Sequence, residues 1–73
     1  MSMVEIVFVL TEETEDGTSV LGVYRNGFDA MKEKFAIIRE QFDIPEDEVA
    51  DNDLDAEIEP MGVYYEIVTR ELL

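Results

Sequence analysis

The residues that could do chemistry in this chain are carboxylates. Asp51, Asp53, Asp55, Glu57 and Glu59 occupy every second position of one stretch, and Leu54, Ala56 and Ile58 fill alternate ones. In an extended chain successive side chains point to opposite sides, so this spacing predicts a row of carboxylates on one edge and an apolar anchor on the other. Neighbours in that row stand ~6.8 Å apart, sparser than the one phosphate per ~3.4 Å of a nucleic-acid strand. Such a row suits the Lys and Arg sites of a nucleic-acid channel. Glu46, Asp47 and Glu48 add a second acidic patch, and Glu12, Glu13, Glu15 and Asp16 a third. The expected partner-binding residues are therefore Glu46, Asp47, Glu48, Asp51, Asp53, Asp55, Glu57 and Glu59. Tyr64 is the expected aromatic anchor, with Tyr65 as a second candidate.

Three plainer readings stand beside this one. Acidic connections are often simply hydrated and aid solubility, a salt-adapted composition is acidic throughout, and like charges can leave a segment disordered. Here the acids cluster. Glu40 and the nine acids of residues 43–60 make ten of the 19, with no base between Glu40 and Thr69, which weighs against uniform salt adaptation.

Catalysis and metal binding are poorly supported. The chain has no His or Cys, so the usual base near neutral pH, the thiolate nucleophile and the common transition-metal ligands are missing. Two carboxylates acting as acid and base need environments that push their pKa values apart within a pocket. A calcium loop would take Asp51, Asp53 and Asp55 at positions one, three and five, but Ala56 stands at the sixth and Gly62 at the twelfth. An EF-hand requires Gly and a bidentate Glu there. The expectation is a non-enzyme with no catalytic residue, cofactor or dedicated metal site.

Composition points the same way. The 73 residues hold 19 Asp plus Glu and 5 Lys plus Arg, a formal net charge of −14. Direct contact with nucleic acid or an anionic membrane is disfavoured, because phosphate-binding surfaces concentrate Lys and Arg. No apolar run approaches the ~20 residues of a spanning helix. The start, Met1-Ser2-Met3-Val4-Glu5, lacks the basic region of a signal peptide, so the expected location is cytoplasmic.

These side chains need a scaffold, and 47% hydrophobic residues suffice for a core. Residues 3–11 read as a strand apolar on both faces, which belongs in the middle of a sheet. Val4, Ile6, Phe8 and Leu10 form the expected core side. A polar stretch over 12–19 with Asp16-Gly17, then a strand over 20–25, reads as a hairpin. Asn26 is a helix N-cap, and Phe28, Met31, Phe35, Ile38 and Phe42 form an apolar stripe ending near Asp43, with Lys32, Glu33, Arg39 and Glu40 on or near the wet side. Ile44 precedes Pro45 and leaves helical geometry, and Pro45–Ala50 suits one acid-rich helical turn. The last strand covers 63–70, with Val63, Tyr65 and Ile67 toward the core and Tyr64, Glu66 and Val68 opposite.

The fold class that follows is α+β: a three-stranded antiparallel sheet in ββαβ order, first strand central, with one amphipathic helix on one face. Residues 1–73 form one domain with an acidic connection at 43–60. One helix covers one sheet face, so Val7, Val9, Tyr64 and Val68 fall on an open one. Two occupants are expected there: the connection folding back through Leu54 and Ile58, or a partner. Val7, Val9 and Val68 are accordingly the candidate homodimer residues.

Val7-Phe8-Val9-Leu10, Asp16-Gly17, Val20-Leu21-Gly22-Val23-Tyr24 and the helix opening Phe28-Asp29-Ala30 together resemble small ββαβ proteins of phages and other mobile elements. That group includes acidic anti-restriction and anti-CRISPR inhibitors that occupy nucleic-acid sites. The resemblance implies a class and assigns no residue a role. The leading expectation is thus an acidic binding protein that mimics nucleic acid and blocks a basic nucleic-acid-binding protein. The alternative is a structural or regulatory module that dimerises through the open sheet face.

Overall fold

The computed structural model describes residues 5–72. Strand β1 runs Glu5–Thr14 and β2 Gly17–Tyr24, helix α1 Gly27–Phe42, a short helix α2 Leu54–Ile58, and strand β3 Tyr64–Leu72. Single 3-10 turns, Asp51–Asp53 and Glu59–Met61, flank α2. The sheet is antiparallel with β1 central, in the order β2-β1-β3. The chain order is therefore β–β–α–α–β, not the expected β–β–α–β with one helix, because the acidic connection itself contains a helix.

Both strands of the hairpin are longer than the polar pattern suggests. Thr14 pairs with Gly17, leaving Glu15 and Asp16 as the turn, with Gly17 at φ 125°. A left-handed φ of that size is open to glycine and strained for other residues. Glu12 and Glu13 lie in the sheet, opposite Ser19 and Thr18 on one side and Tyr65 and Tyr64 on the other. A register shift between Leu10 and Thr11 puts one extra residue, Leu21, into β2 as a bulge.

Directly opposed residues of an antiparallel pair share a face. Phe8, Leu10, Glu12, Tyr65 and Ile67 share one, and Val9, Val23, Tyr64, Glu66 and Val68 the other. The first is the covered face, as the alternation predicts: Leu10 is fully buried and Tyr65 nearly so, and Tyr65 packs with Ile38, Leu54 and Ile58. Ile6, placed with them by sequence, stays exposed. Met3 and Val4 lie outside the described residues.

Helix α1 begins as expected. The Asn26 side chain accepts from the Phe28 N–H at 2.7 Å, and Asp29 sits in the first turn where negative charge is favoured. It ends at Asp43, which takes the left-handed conformation at φ 53° that Asp tolerates better than most residues. The expected apolar stripe is displaced at its start. Phe28 is 61% exposed and Met31 also faces outward. The helix meets the sheet there through Gly27, where a Cβ would come within 3.1 Å of the Phe8 ring, and through fully buried Ala30. With no side chain at Gly27 the Phe8 ring lies against the helix backbone, and Phe28 is left facing outward with the Lys32 amine 5.7 Å above its ring.

Leu54 and Ile58 do not fold over the open sheet face. They are buried against Ile38 and Tyr65, on the helix side, with Phe35, Ile37, Phe42, Ile44, Val49 and Val63 packed around them. No helix among the described residues is long and apolar enough to cross a membrane. Truncating Leu54 or Ile58 to Ala should destabilise the domain by about 2–5 kcal/mol, the usual range for buried aliphatic side chains. A thermal melt reads this directly, and unchanged melting would show that the connection is not part of the core.

Candidate acidic recognition surface

The connection from Asp43 to Met61 is built around one cation. Arg39 is only 13% exposed at its side chain, so it does not lie on the wet side of α1 as its spacing suggests. Its Nη1 donates to the Pro45 carbonyl at 2.9 Å, and its Nη2 to the Val49 carbonyl at 2.8 Å and to Asp51 Oδ1 at 2.7 Å. Its own backbone carbonyl accepts from the N–H groups of Asp43 and Ile44. A guanidinium offers donors in a planar fork, which is how one residue holds three points of a loop. The Glu48 N–H then closes a turn on the Pro45 carbonyl at 3.3 Å, a single hydrogen-bonded turn where the sequence suggested a helical one.

A second cation repeats the device five residues earlier on α1. Lys34 Nζ lies 2.8 Å from Asp55 Oδ2, with the Lys34 side chain 14% exposed and that of Asp55 largely in solvent. These two bridges and the buried pair Leu54–Ile58 order the segment.

The extended row of carboxylates does not exist. Asp51–Met61 is helical, so residues two apart point in different directions. Asp51 and Asp55 turn back to α1 and are spent on Arg39 and Lys34. Glu46, Asp47, Glu48, Asp53, Glu57 and Glu59 remain exposed, and none of them is ion-paired among the described residues. Six of the eight expected carboxylates are thus unpaired on the surface, and the other two, Asp51 and Asp55, are exposed struts paired to α1. Sequence spacing alone missed Lys34 and Arg39. Their signal was the pair of four-residue intervals, Leu54 to Ile58 and Asp51 to Asp55, which puts anchors and struts on one helical side.

Tyr64 is exposed, as an anchor must be, but on the open sheet face and not with the acids of the connection. Tyr65 is core. Its hydroxyl donates to Glu12 Oε2 at 2.5 Å. Burial, then the hydrogen bond and negative charge of Glu12, push the Tyr65 hydroxyl well above its ordinary range. Tyr24 moves the same way, through burial and then the nearby Glu33. Of the dimer candidates, Val7 is only 6% exposed, and it lies in register with Arg70 in the central strand. It is floor, not contact surface. Val9 and Val68 are half-exposed and lie side by side.

Open surface concavities among the described residues include one lined by Ile37, Glu40 and Gln41 and one lined by Lys32, Phe35, Ala36, Arg39, Glu46 and Asp51. No group of three or more carboxylates among the described residues converges as a metal site would require.

Two outcomes test this description. Arg39→Ala should cost about 1–3 kcal/mol and speed amide exchange over residues 45–53, and Arg39→Lys should restore less than half, because an ammonium cannot span the three acceptors. Exchange confined to its wild-type rate would refute the clamp. A tyrosine held protonated in the fold contributes stability that is complete below pH 10 and lost as pH rises beyond it. Stability should fall above about pH 10, and Tyr65→Phe, less stable at neutral pH, should lose less over that alkaline interval. Denaturant melts between pH 8 and pH 12 decide it.

The sequence matches no protein-family model and no curated protein, and the fold matches no solved structure, so the site's chemistry rests on its own geometry.

Proposed function

We propose that this chain is a non-catalytic binding protein that presents the acids of residues 46–59 to a basic surface on a nucleic-acid-binding protein and competes there with nucleic acid. One observation carries the reading: the acids are held on a segment ordered by two fully buried anchors and two ion pairs. A preordered charged surface loses less conformational entropy on binding than a disordered tail would. Net charge of −14 accelerates encounter with a basic partner and makes affinity fall as salt rises. The regular phosphate-like row is gone, so recognition would read a compact anionic surface and not strand spacing. The phage-like resemblance suggests partners of the defence type, enzymes that must grip nucleic acid to act.

Immobilised protein should retain basic nucleic-acid-binding proteins of a host extract and release them to rising salt and to added duplex DNA. Replacing Glu46, Glu48, Glu57 and Glu59 with Gln, and Asp47 and Asp53 with Asn, should weaken that retention roughly tenfold or more, from several exposed charge contacts of a few tenths of a kcal/mol each. The six positions are solvent-facing, so the fold should survive by circular dichroism. Retention that ignores these six changes would end the proposal.

A further inference from the structure

The sheet face away from α1 is apolar, and its charges are arranged to match themselves. Val23, Val9 and Val68 stand in one row across all three strands. Val23 is 60% exposed, and Val20, Tyr64 and Leu72 on the same face are exposed as well. On one side of the row Val7 pairs with Arg70, and Arg25, next beyond Tyr24 on β2, reaches Glu5 at 3.7 Å. On the other side Thr11 pairs with Glu66, and beyond it Glu13 pairs with Tyr64. The face thus has a basic half and an acidic half about a valine centre. Among the described residues, neither Arg70 nor Glu66 has an ion-pair partner.

We propose that a second copy of this chain covers this face, with the two-fold axis running across the strands along the valine row. Two two-fold arrangements bring the face onto itself. An axis along the strands sets β3 over the partner's β2 and the basic half over the basic half. An axis across them sets β3 over the partner's β3 and places Arg70 of each copy over Glu66 of the other. Only the second makes the charges complementary, and as an isologous contact it forms each pair twice. Stacked sheets pack ~10 Å apart with strands inclined by about 30°, a geometry in which the valines interdigitate.

The overall charge of −14 does not forbid this. The connection's acids lie with Leu54 and Ile58 on the helix side of the sheet. The open face holds Glu5, Glu13 and Glu66 against Arg25 and Arg70, which is 2 − 3 = −1, and it carries two of the chain's five bases. The face is small: three strands ~4.8 Å apart, read over rows spanning about 27 Å, put it at the low end of specific interfaces. Association at micromolar or weaker concentrations is expected. Long-range repulsion between the acidic bodies should make it tighten with salt, opposite in sign to binding a basic partner.

Sedimentation velocity over ~10 µM to ~1 mM, at about 0.05 M and about 0.5 M salt, tests the proposal. Dimer should grow with concentration and with salt, and Val23→Glu should weaken it at least tenfold, about 1.4 kcal/mol. Arg70→Glu and Glu66→Arg should each weaken it, and the double swap should restore it. Within one chain these two positions are four residues apart on a strand, ~13 Å, so the rescue cannot arise inside a monomer. A wild-type chain that stays monomeric throughout overturns the proposal and leaves this face to another protein. A Val23→Glu chain that dimerises undiminished, or a double swap as weak as either single one, overturns the face or the register respectively.

Discussion

Everything on the helix side of this molecule depends on the burial of Leu54 and Ile58 against Ile38 and Tyr65. Nine acids between residues 43 and 60 oppose a compact connection. The magnitudes decide the contest. Two solvated carboxylates repel by only about 1 kcal/mol even at ~4 Å in water, and less at greater distance or with salt. Burying one aliphatic side chain contributes about 1.5–3 kcal/mol. Two such anchors outweigh the repulsion among solvated neighbours, and Arg39 and Lys34 remove two of the charges from the account. The acids stay outside because the anchors are inside.

The same contest explains what the sequence discloses and what it hides. Features fixed by local stereochemistry are legible: Asn26 at the helix start, Asp43 at its end before Ile44-Pro45, and the central strand apolar on both faces. Strand faces follow from alternation, so Tyr65 and Ile67 inward and Tyr64 and Val68 outward come out correctly. The stretch from Asp51 to Glu59 is ambiguous by construction. Acids at every second position fit a strand, and Leu54 and Ile58 four apart fit a helix equally well. Tertiary burial selects the helix, since a single helical turn brings both anchors to Ile38. Phe28 is misread for a related reason: an apolar residue at helical spacing looks like core, but the Phe8 ring packs on Gly27 and buried Ala30 takes the inward place on that turn. The candidate acids are legible as exposed groups. Their arrangement is not, because it is set by two cations of α1 far away in sequence.

Polarity therefore divides by the sheet more than by the chain. Three bases, Lys32, Lys34 and Arg39, lie on α1, and two of them are consumed in holding the connection. The other two, Arg25 and Arg70, flank the valine face. One side of the sheet presents nearly all of the excess negative charge, while the other is close to neutral and apolar. A basic partner and an apolar partner would then approach from opposite sides, and neither contact would need to displace the other.

This division also bears on why so acidic a chain can keep an uncovered apolar sheet. An isolated apolar face of this kind invites aggregation, and strand edges add to the hazard. High net charge opposes random association, because most approaches bring acidic surfaces together. The face-to-face contact proposed above would be the exception, because the two acidic sides would lie outside both sheets, farther apart than the ~10 Å between stacked sheets and so beyond the ~8 Å over which physiological salt screens charge. Acidity and a valine row are thus not in conflict. The charge penalises the many disordered encounters more than the proposed orientation, in which Arg70 would meet Glu66 of the other copy and the remaining repulsion between the outer acidic sides would fall as salt rises.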